Sequence, residues 1–100
     1  MYNTFIISKN KDKLVDRDLC LAKLMEKMRN FNEVTIYVHL GCETDADIII
    51  NKIIRSGGWI KEYDKRTSLT LESKKDKSKY TLDVYEYLIR RDVHNQLKED

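Results

Sequence analysis

Apolar and polar residues alternate one by one through Glu33-Val34-Thr35-Ile36-Tyr37-Val38-His39-Leu40. Val34, Ile36, Val38 and Leu40 fall on one face and Thr35, Tyr37 and His39 on the other, the two-residue period of a half-buried β-strand. Thr4-Phe5-Ile6-Ile7-Ser8 is too short to show a period but is rich in β-formers, and predicts an earlier strand. Between the two, Leu21, Leu24, Met25, Met28 and Phe31 recur every three or four residues behind Asp16, a side chain suited to cap a helix, with Leu14 and Val15 extending the apolar side. After Gly41, the opening Thr44-Asp45-Ala46-Asp47 reads as a Thr-x-x-acid helix start. It leads into Ile48-Ile49-Ile50 and Ile53-Ile54, closed by Gly57-Gly58. The isoleucines alone suit a strand, but the cap, the terminal glycines and the length from Asp45 to Ser56 predict a helix.

Beyond Gly58 the chain reads as extended from Trp59 to Leu71, and it alternates again through Tyr80-Thr81-Leu82-Asp83-Val84-Tyr85-Glu86-Tyr87-Leu88. The intervening Ser73-Lys74-Lys75-Asp76-Lys77-Ser78-Lys79 holds no Asn-Gly or Asp-Gly pair, so a long, mobile hairpin loop is expected there. The order is β-α-β-α-β-β. It predicts an α/β two-layer sandwich, with a four-stranded mixed sheet and two helices on one face reached by right-handed crossovers. Residues 1–91 form the one domain, and 92–100 a polar tail that frays or forms a short helix. On the last strand Tyr85, Tyr87 and Ile89 lie opposite Leu82, Val84 and Leu88, so both sheet faces are partly apolar. One helical layer covers only one of them, and a dimer partner is expected on the other.

Composition narrows the class. With 41% hydrophobic and 36% charged residues in 100, the chain is too apolar for disorder and holds one core. No apolar run approaches the ~20 residues of a membrane-spanning helix, and no export signal is visible at the N-terminus, so a soluble protein with no membrane partner is expected. Cys20 and Cys42 have no neighbours at ligand spacing and read as reduced core residues, which fits a cytoplasmic or nuclear location.

The net charge of +2 conceals a division. Residues 1–31 and 59–80 each carry seven basic against four acidic groups, whereas residues 32–58 and 81–100 each have an acidic excess of two. The excess bases gather in the loop before the first helix, at Lys9, Lys11 and Lys13, and along the hairpin, at Lys65, Arg66, Lys74, Lys75, Lys77 and Lys79. Flexible lysines bind phosphate without reading sequence, which points to a polyanionic partner; the alternative is a solvated surface kept charged for solubility.

Taken together, Glu33-Val34-Thr35-Ile36, Gly41 with the Ile-rich helix after it, Ile60-Lys61-Glu62-Tyr63 and Tyr80-Thr81-Leu82-Asp83-Val84 resemble the Alba superfamily of small nucleic-acid-binding proteins, over roughly residues 4–90. Ile36-Tyr37-Val38-His39-Leu40-Gly41 is also similar to the strand-to-helix junction of the Alba-type subunits of eukaryotic ribonuclease P and MRP. The resemblance implies a βαβαββ fold, pairing into homodimers or heterodimers with another Alba-like chain, and contact with RNA or DNA through the loop before helix 1, the start of helix 2 and the β3–β4 arm. Where the family commonly places arginines around the junction glycine, this chain has Leu40, Cys42 and Ala46 beside Glu43, Asp45 and Asp47. These acids repel phosphate but complement a helix dipole. The same element order occurs in other RNA-binding domains, including the C-terminal domain of translation initiation factor 3.

Catalytic signals are few. His39 and His94 are far apart, and the chain has no nucleophile elbow and no glycine-rich phosphate loop. Asp45 and Asp47 point about 200° apart on one helix, so they form neither an acid–base pair nor a metal clamp. No enzyme, catalytic residue, metal or cofactor is therefore expected. His39 and Tyr63 are candidates for stacking on, or hydrogen bonding to, a nucleic acid, and Trp59, Tyr85 and Tyr87 are further aromatic surfaces. His94 is expected to face solvent. The leading expectation is a non-enzymatic RNA-binding dimer. A subunit of a ribonuclease P-type ribonucleoprotein and a protein-interaction module that has lost nucleic-acid binding are the alternatives.

Overall fold

A computed structural model describes residues 3–93. The order is β1 (Thr4–Ile7), α1 (Arg17–Asn30), β2 (Glu33–His39), α2 (Glu43–Ser56), β3 (Trp59–Glu72) and β4 (Lys79–Arg91). The sheet order is β1-β2-β4-β3; β1 is parallel to β2, and β4 runs antiparallel to both its neighbours. The architecture is the expected α/β layout with two helices and a four-stranded mixed sheet. A parallel pair cannot be closed by a tight turn, so α1 carries the chain from β1 to β2. Helix α2 then takes it past the site of β4 to the far edge.

Asp16 caps α1 as expected, its carboxylate accepting from the Leu19 N–H at 3.1 Å. Helix α1 begins only at Arg17, so Leu14 and Val15 belong to the preceding loop: Leu14 is exposed while Val15 packs against the core. Phe31, just past the last turn, also packs against it. The start of α2 differs from the expectation. The N-cap is Cys42, whose side chain makes no capping bond, and Glu43 instead reaches back to accept from the Gly41 N–H at 2.8 Å. Gly41 has φ +95, a conformation open to glycine and costly for other residues, and there the chain leaves β2 and turns into the helix.

Strand register divides the sheet into two faces. Val34, Ile36 and Val38 pair with Ile89, Tyr87 and Tyr85 and point at the helices. With Ile7, Leu24, Met28, Ala46, Ile49, Ile50, Ile53 and Trp59 they make the core, all buried except the half-buried Tyr85. Isoleucines at i, i+1 and i+4 of α2 bury one helical stripe, so tertiary packing overrides their β preference. The opposite face holds Thr35, Tyr37, His39, Tyr63, Lys65, Leu82, Val84, Glu86 and Leu88. The predicted opposition of Tyr85, Tyr87 and Ile89 to Leu82, Val84 and Leu88 is thus found. Val84 is fully buried by its own chain, whereas Leu82 and Leu88 are half-buried.

Pairing of β2 with β4 stops at His39–Val84, while β3 and β4 continue together to Glu72–Lys79. The hairpin therefore leaves the sheet as a two-stranded ribbon five residue pairs long, from Ser68–Asp83 to its last pair. That length is about 17 Å at the usual rise per residue. It stretches the molecule to 56 × 26 × 23 Å, with a radius of gyration of 15.1 Å, against about 13 Å for a compact chain of this size. The connection at its tip, residues 73–78, is longer than a tight two-residue turn, as expected, and is closed by hydrogen bonds of its own. Ser73 N–H donates to the Ser78 carbonyl at 2.8 Å and Lys77 N–H to the Ser73 carbonyl at 2.9 Å. Asp76 Oδ1 accepts from both the N–H and the hydroxyl of Ser78. Serine and aspartate side chains thus do the work that Asn-Gly does in tighter turns. His94 and most of the expected tail lie outside the described residues.

Candidate nucleic-acid interface

The predicted basic residues fall into two groups. The first surrounds the β2–α2 junction. Asn10 closes the loop before α1 into a compact turn: its Oδ1 accepts from the N–H of Asp12 and of Leu14, and its own N–H donates to the Leu14 carbonyl at 2.8 Å. This turn presents Lys11 to solvent and places Lys13 at φ 62. It leaves the Lys9 ammonium near the junction, where a Cβ on Gly41 would lie 3.6 Å from Nζ. Lys9, Lys13, Arg17, Lys52, Gly41 and Asp45 line an open cleft of ≈ 610 Å³.

Arg17 and Lys52 were missed by sequence reasoning. A signal existed for each: Arg17 is a cation in the first turn of a helix, where the dipole disfavours it, and Lys52 lies two turns beyond Asp45 on the same stripe of α2.

The acids at the start of α2 are all engaged locally. Asp45 pairs with Arg17 at 2.7 Å. Asp47 accepts from the hydroxyl of buried Tyr87 at 2.8 Å; burial, with that bond and the carboxylate beside it, pushes the Tyr87 hydroxyl well above the usual phenol range. Glu43 is held below the usual carboxylate range by the Gly41 N–H and by the helix's own backbone donor, with Lys9 and Arg66 adding attraction. These carboxylates hold the junction together, α1 to α2, α2 to β4 and the turn to α2. Cys42 is buried and Cys20 half-buried, and burial raises both thiols above their ordinary value.

The second group lies on the ribbon. Lys74, Lys75, Lys77 and Lys79 are exposed at and beside its tip and take part in none of the ion pairs among the described residues. Lys65 and Arg66, adjacent in sequence, point to opposite sheet faces and are both paired: Lys65 with Glu86 at 3.9 Å, Arg66 with Asp83 at 3.5 Å. Asp83 also accepts from Ser68 at 2.6 Å, which with Arg66 draws its carboxyl downward.

Both stacking candidates lie on the helix-free face, His39 at its border with the ribbon and Tyr63 on the edge strand β3. The Tyr63 hydroxyl donates to Glu86, which pushes its pKa up to about 12. The other aromatic candidates are core groups instead. Trp59 and Tyr87 are buried under the helices, Tyr85 packs beside them, and the Arg91 guanidinium covers the Trp59 ring at 5.0 Å. The aromatic overlooked in their place is Tyr37, half-buried on the open face two strands from Tyr63. The alternation of β2 already placed it opposite the core. Among the described residues no cluster of three or more His, Cys, Asp and Glu could hold a metal ion, and no helix is long and apolar enough to cross a membrane. No family model matches the chain, and no curated protein matches it.

Proposed function

We propose that the protein is a non-enzymatic nucleic-acid-binding protein, directed to RNA in the cytoplasm or nucleus and acting as a dimer of Alba-like chains. The ribbon carries the reading: four exposed ammonium groups, outside every ion pair among the described residues, sit at the end of an arm projecting from the core. Concentrated like charge with no internal partner raises the self-energy of a fold and is useful against a polyanion. The lysine loop, with Lys9, Lys11 and Lys13, supplies a second group of cations, and the resemblance to the Alba superfamily points to the same two regions. In a ribonucleoprotein of the ribonuclease P kind, these surfaces organise RNA and take no part in its chemistry.

A protein-binding module is the second reading. It is favoured by Leu69, Leu71, Tyr80 and Leu82, which share one face of the ribbon; two-stranded ribbons are marginal alone in water.

Fluorescence anisotropy with single-stranded RNA, duplex RNA and duplex DNA, at about 50 and about 200 mM salt, tests the proposal. Binding that weakens steeply with salt and ranks RNA first is expected. Absence of binding to all three at tens of micromolar, or binding indifferent to salt, overturns it in favour of the protein-binding reading.

A further inference from the structure

The helix-free face of the sheet has a chemistry that the lysine arm does not use. Register sets Tyr37 of β2 beside Glu86 of β4, and Glu86 beside Lys65 of β3; two residues along, Thr35, Leu88 and Tyr63 form the next row on the same face. We propose that this face is a stacking platform for the unpaired bases of single-stranded RNA, with Tyr37 and Tyr63 as the stacking groups and Lys65 as the counter-charge for the phosphate between them. The proposal rests on the nucleic-acid reading above and adds to it which form of nucleic acid is taken and by which face.

The geometry argues for unpaired bases. Strands about 4.8 Å apart and residues about 3.4 Å apart along them put the two tyrosine Cα atoms about 12 Å apart, far beyond the ~3.4 Å between stacked bases of a helix. Two bases on this face are therefore splayed from each other, a state open to single strands and closed to a duplex, whose bases are buried in the stack. Tyr63 is already held in place: its hydroxyl is bonded to Glu86, and the Lys65 ammonium lies 4.9 Å from its ring centroid. A ring so fixed loses little freedom when a base stacks on it. The Lys65 side chain is 57% exposed, so its ammonium can leave the ring for a phosphate.

The charged centre disfavours a second protein copy as the occupant. Glu86, with only 14% of its side chain exposed, and Lys65 would both be stripped of water in a dry interface, where interface cores are depleted in charge and desolvation offsets the attraction of the pair. An RNA surface remains wet and supplies phosphates to Lys65.

The test compares Tyr37→Leu and Tyr63→Leu with Tyr37→Phe and Tyr63→Phe in the full chain, using a uridine-rich single-stranded RNA and a duplex RNA of matched length. Each Leu variant is expected to weaken single-strand binding by about 5- to 100-fold, with duplex affinity and the salt slope unchanged. The Phe variants, which keep the ring, should stay within about twofold of wild type. A bromouridine RNA should photocross-link to Tyr37 or Tyr63. Wild-type single-strand affinity in the Leu variants overturns the platform and leaves the nucleic-acid reading standing, and so does equal loss on both RNAs, which marks a structural role. Leu variants that turn a dimer into a monomer in sedimentation, with RNA affinity intact, assign the face to a second copy and overturn the platform too. Wild-type protein that binds neither RNA overturns the reading beneath it.

Discussion

Replacing Lys74, Lys75, Lys77 and Lys79 together by glutamine isolates the ribbon's contribution. All four are exposed and outside every ion pair among the described residues, so the change breaks no internal contact of that kind. Surface substitutions of this sort move stability by no more than about 0.5 kcal/mol, and thermal melting should show the fold intact. Each lysine that neutralises a phosphate releases counterion. The log–log salt slope should therefore become shallower by about 0.7 per lysine on single strands and about 0.9 on duplex, up to about 2.8 and about 3.6 for the four. On single strands, a fourfold rise in salt would cost wild type up to about 50-fold more affinity than the variant. Lys65 and Arg66 already have carboxylate partners at 3.9 and 3.5 Å, so neutralising them should change the slope by less than one lysine's share each. Anisotropy titrations across a salt series measure all of this. A slope shifted by less than about 1 in the fourfold variant, or shifted as much by Lys23→Gln on the remote surface of α1, would refute the ribbon as the phosphate-binding element.

Further outcomes follow from the junction and the open face. Tyr87→Phe removes the bond to Asp47, an exposed carboxylate that regains water, so the loss should be about 1 kcal/mol, seen as a melting point lower by about 4–8 °C; an unchanged melting point would deny the bond a role. Glu43 has a lowered folded pKa, so the stability it contributes is present above its ordinary 4.5 and is lost as pH falls through the folded value. Denaturant midpoints should therefore drop less between neutral and acid pH in Glu43→Gln than in wild type. Tyr63 has a raised folded pKa, so its contribution is complete below pH 10 and fades as pH rises toward about 12. Ultraviolet absorbance titration should show two late tyrosine steps, of which Tyr63→Phe removes the one near 12 and leaves the later one of Tyr87. Gly41→Ala forces φ +95 on a residue with a Cβ, and although that atom meets only Lys9 at 3.6 Å, calorimetry should register a loss of about 1–2 kcal/mol.

Local chemistry made most of the fold legible. The period of β2, the Asp16 cap and the terminal Gly57 are all readable within a few residues of where they act, and each is found in place. Features set by partners distant in sequence were not. The capping of α2 was sought forward from Thr44 and is supplied backward by Glu43 to Gly41, because the chain turns at the glycine before the helix begins. The aromatic assignments depended on which parity of β4 faces the helices. That parity is fixed by pairing with β2, which sends Tyr85 and Tyr87 inward and leaves Tyr37 and Tyr63 outside. The arm was legible as a basic hairpin but not as a projecting ribbon, since the point where β4 loses β2 as a neighbour is set by pairing in the folded sheet.

The acidic start of α2 changes meaning once those distant partners are known. Read as a sequence, Glu43, Asp45 and Asp47 stand beside Leu40, Cys42 and Ala46, which replace the cations of the Alba pattern, and they count against phosphate. In the structure Asp45 is neutralised by Arg17, 28 residues away, and Asp47 is bonded to Tyr87, 40 residues away. Glu43 is taken up by the turn it closes, with Lys9 and Arg66 close enough to favour its ionised form. A carboxylate paired with a cation projects little field beyond its own contact, and along the cleft Lys9, Lys13, Arg17 and Lys52 stand against Asp16, Asp18 and Asp45. The junction is thus close to neutral, neither the basic clamp that the resemblance implies nor the anion-repelling surface that the acids suggest. Net attraction for a polyanion shifts to the ribbon, whose tip lysines have no such partners among the described residues, and this is why the salt slope should respond to the arm and hardly at all to Asp45.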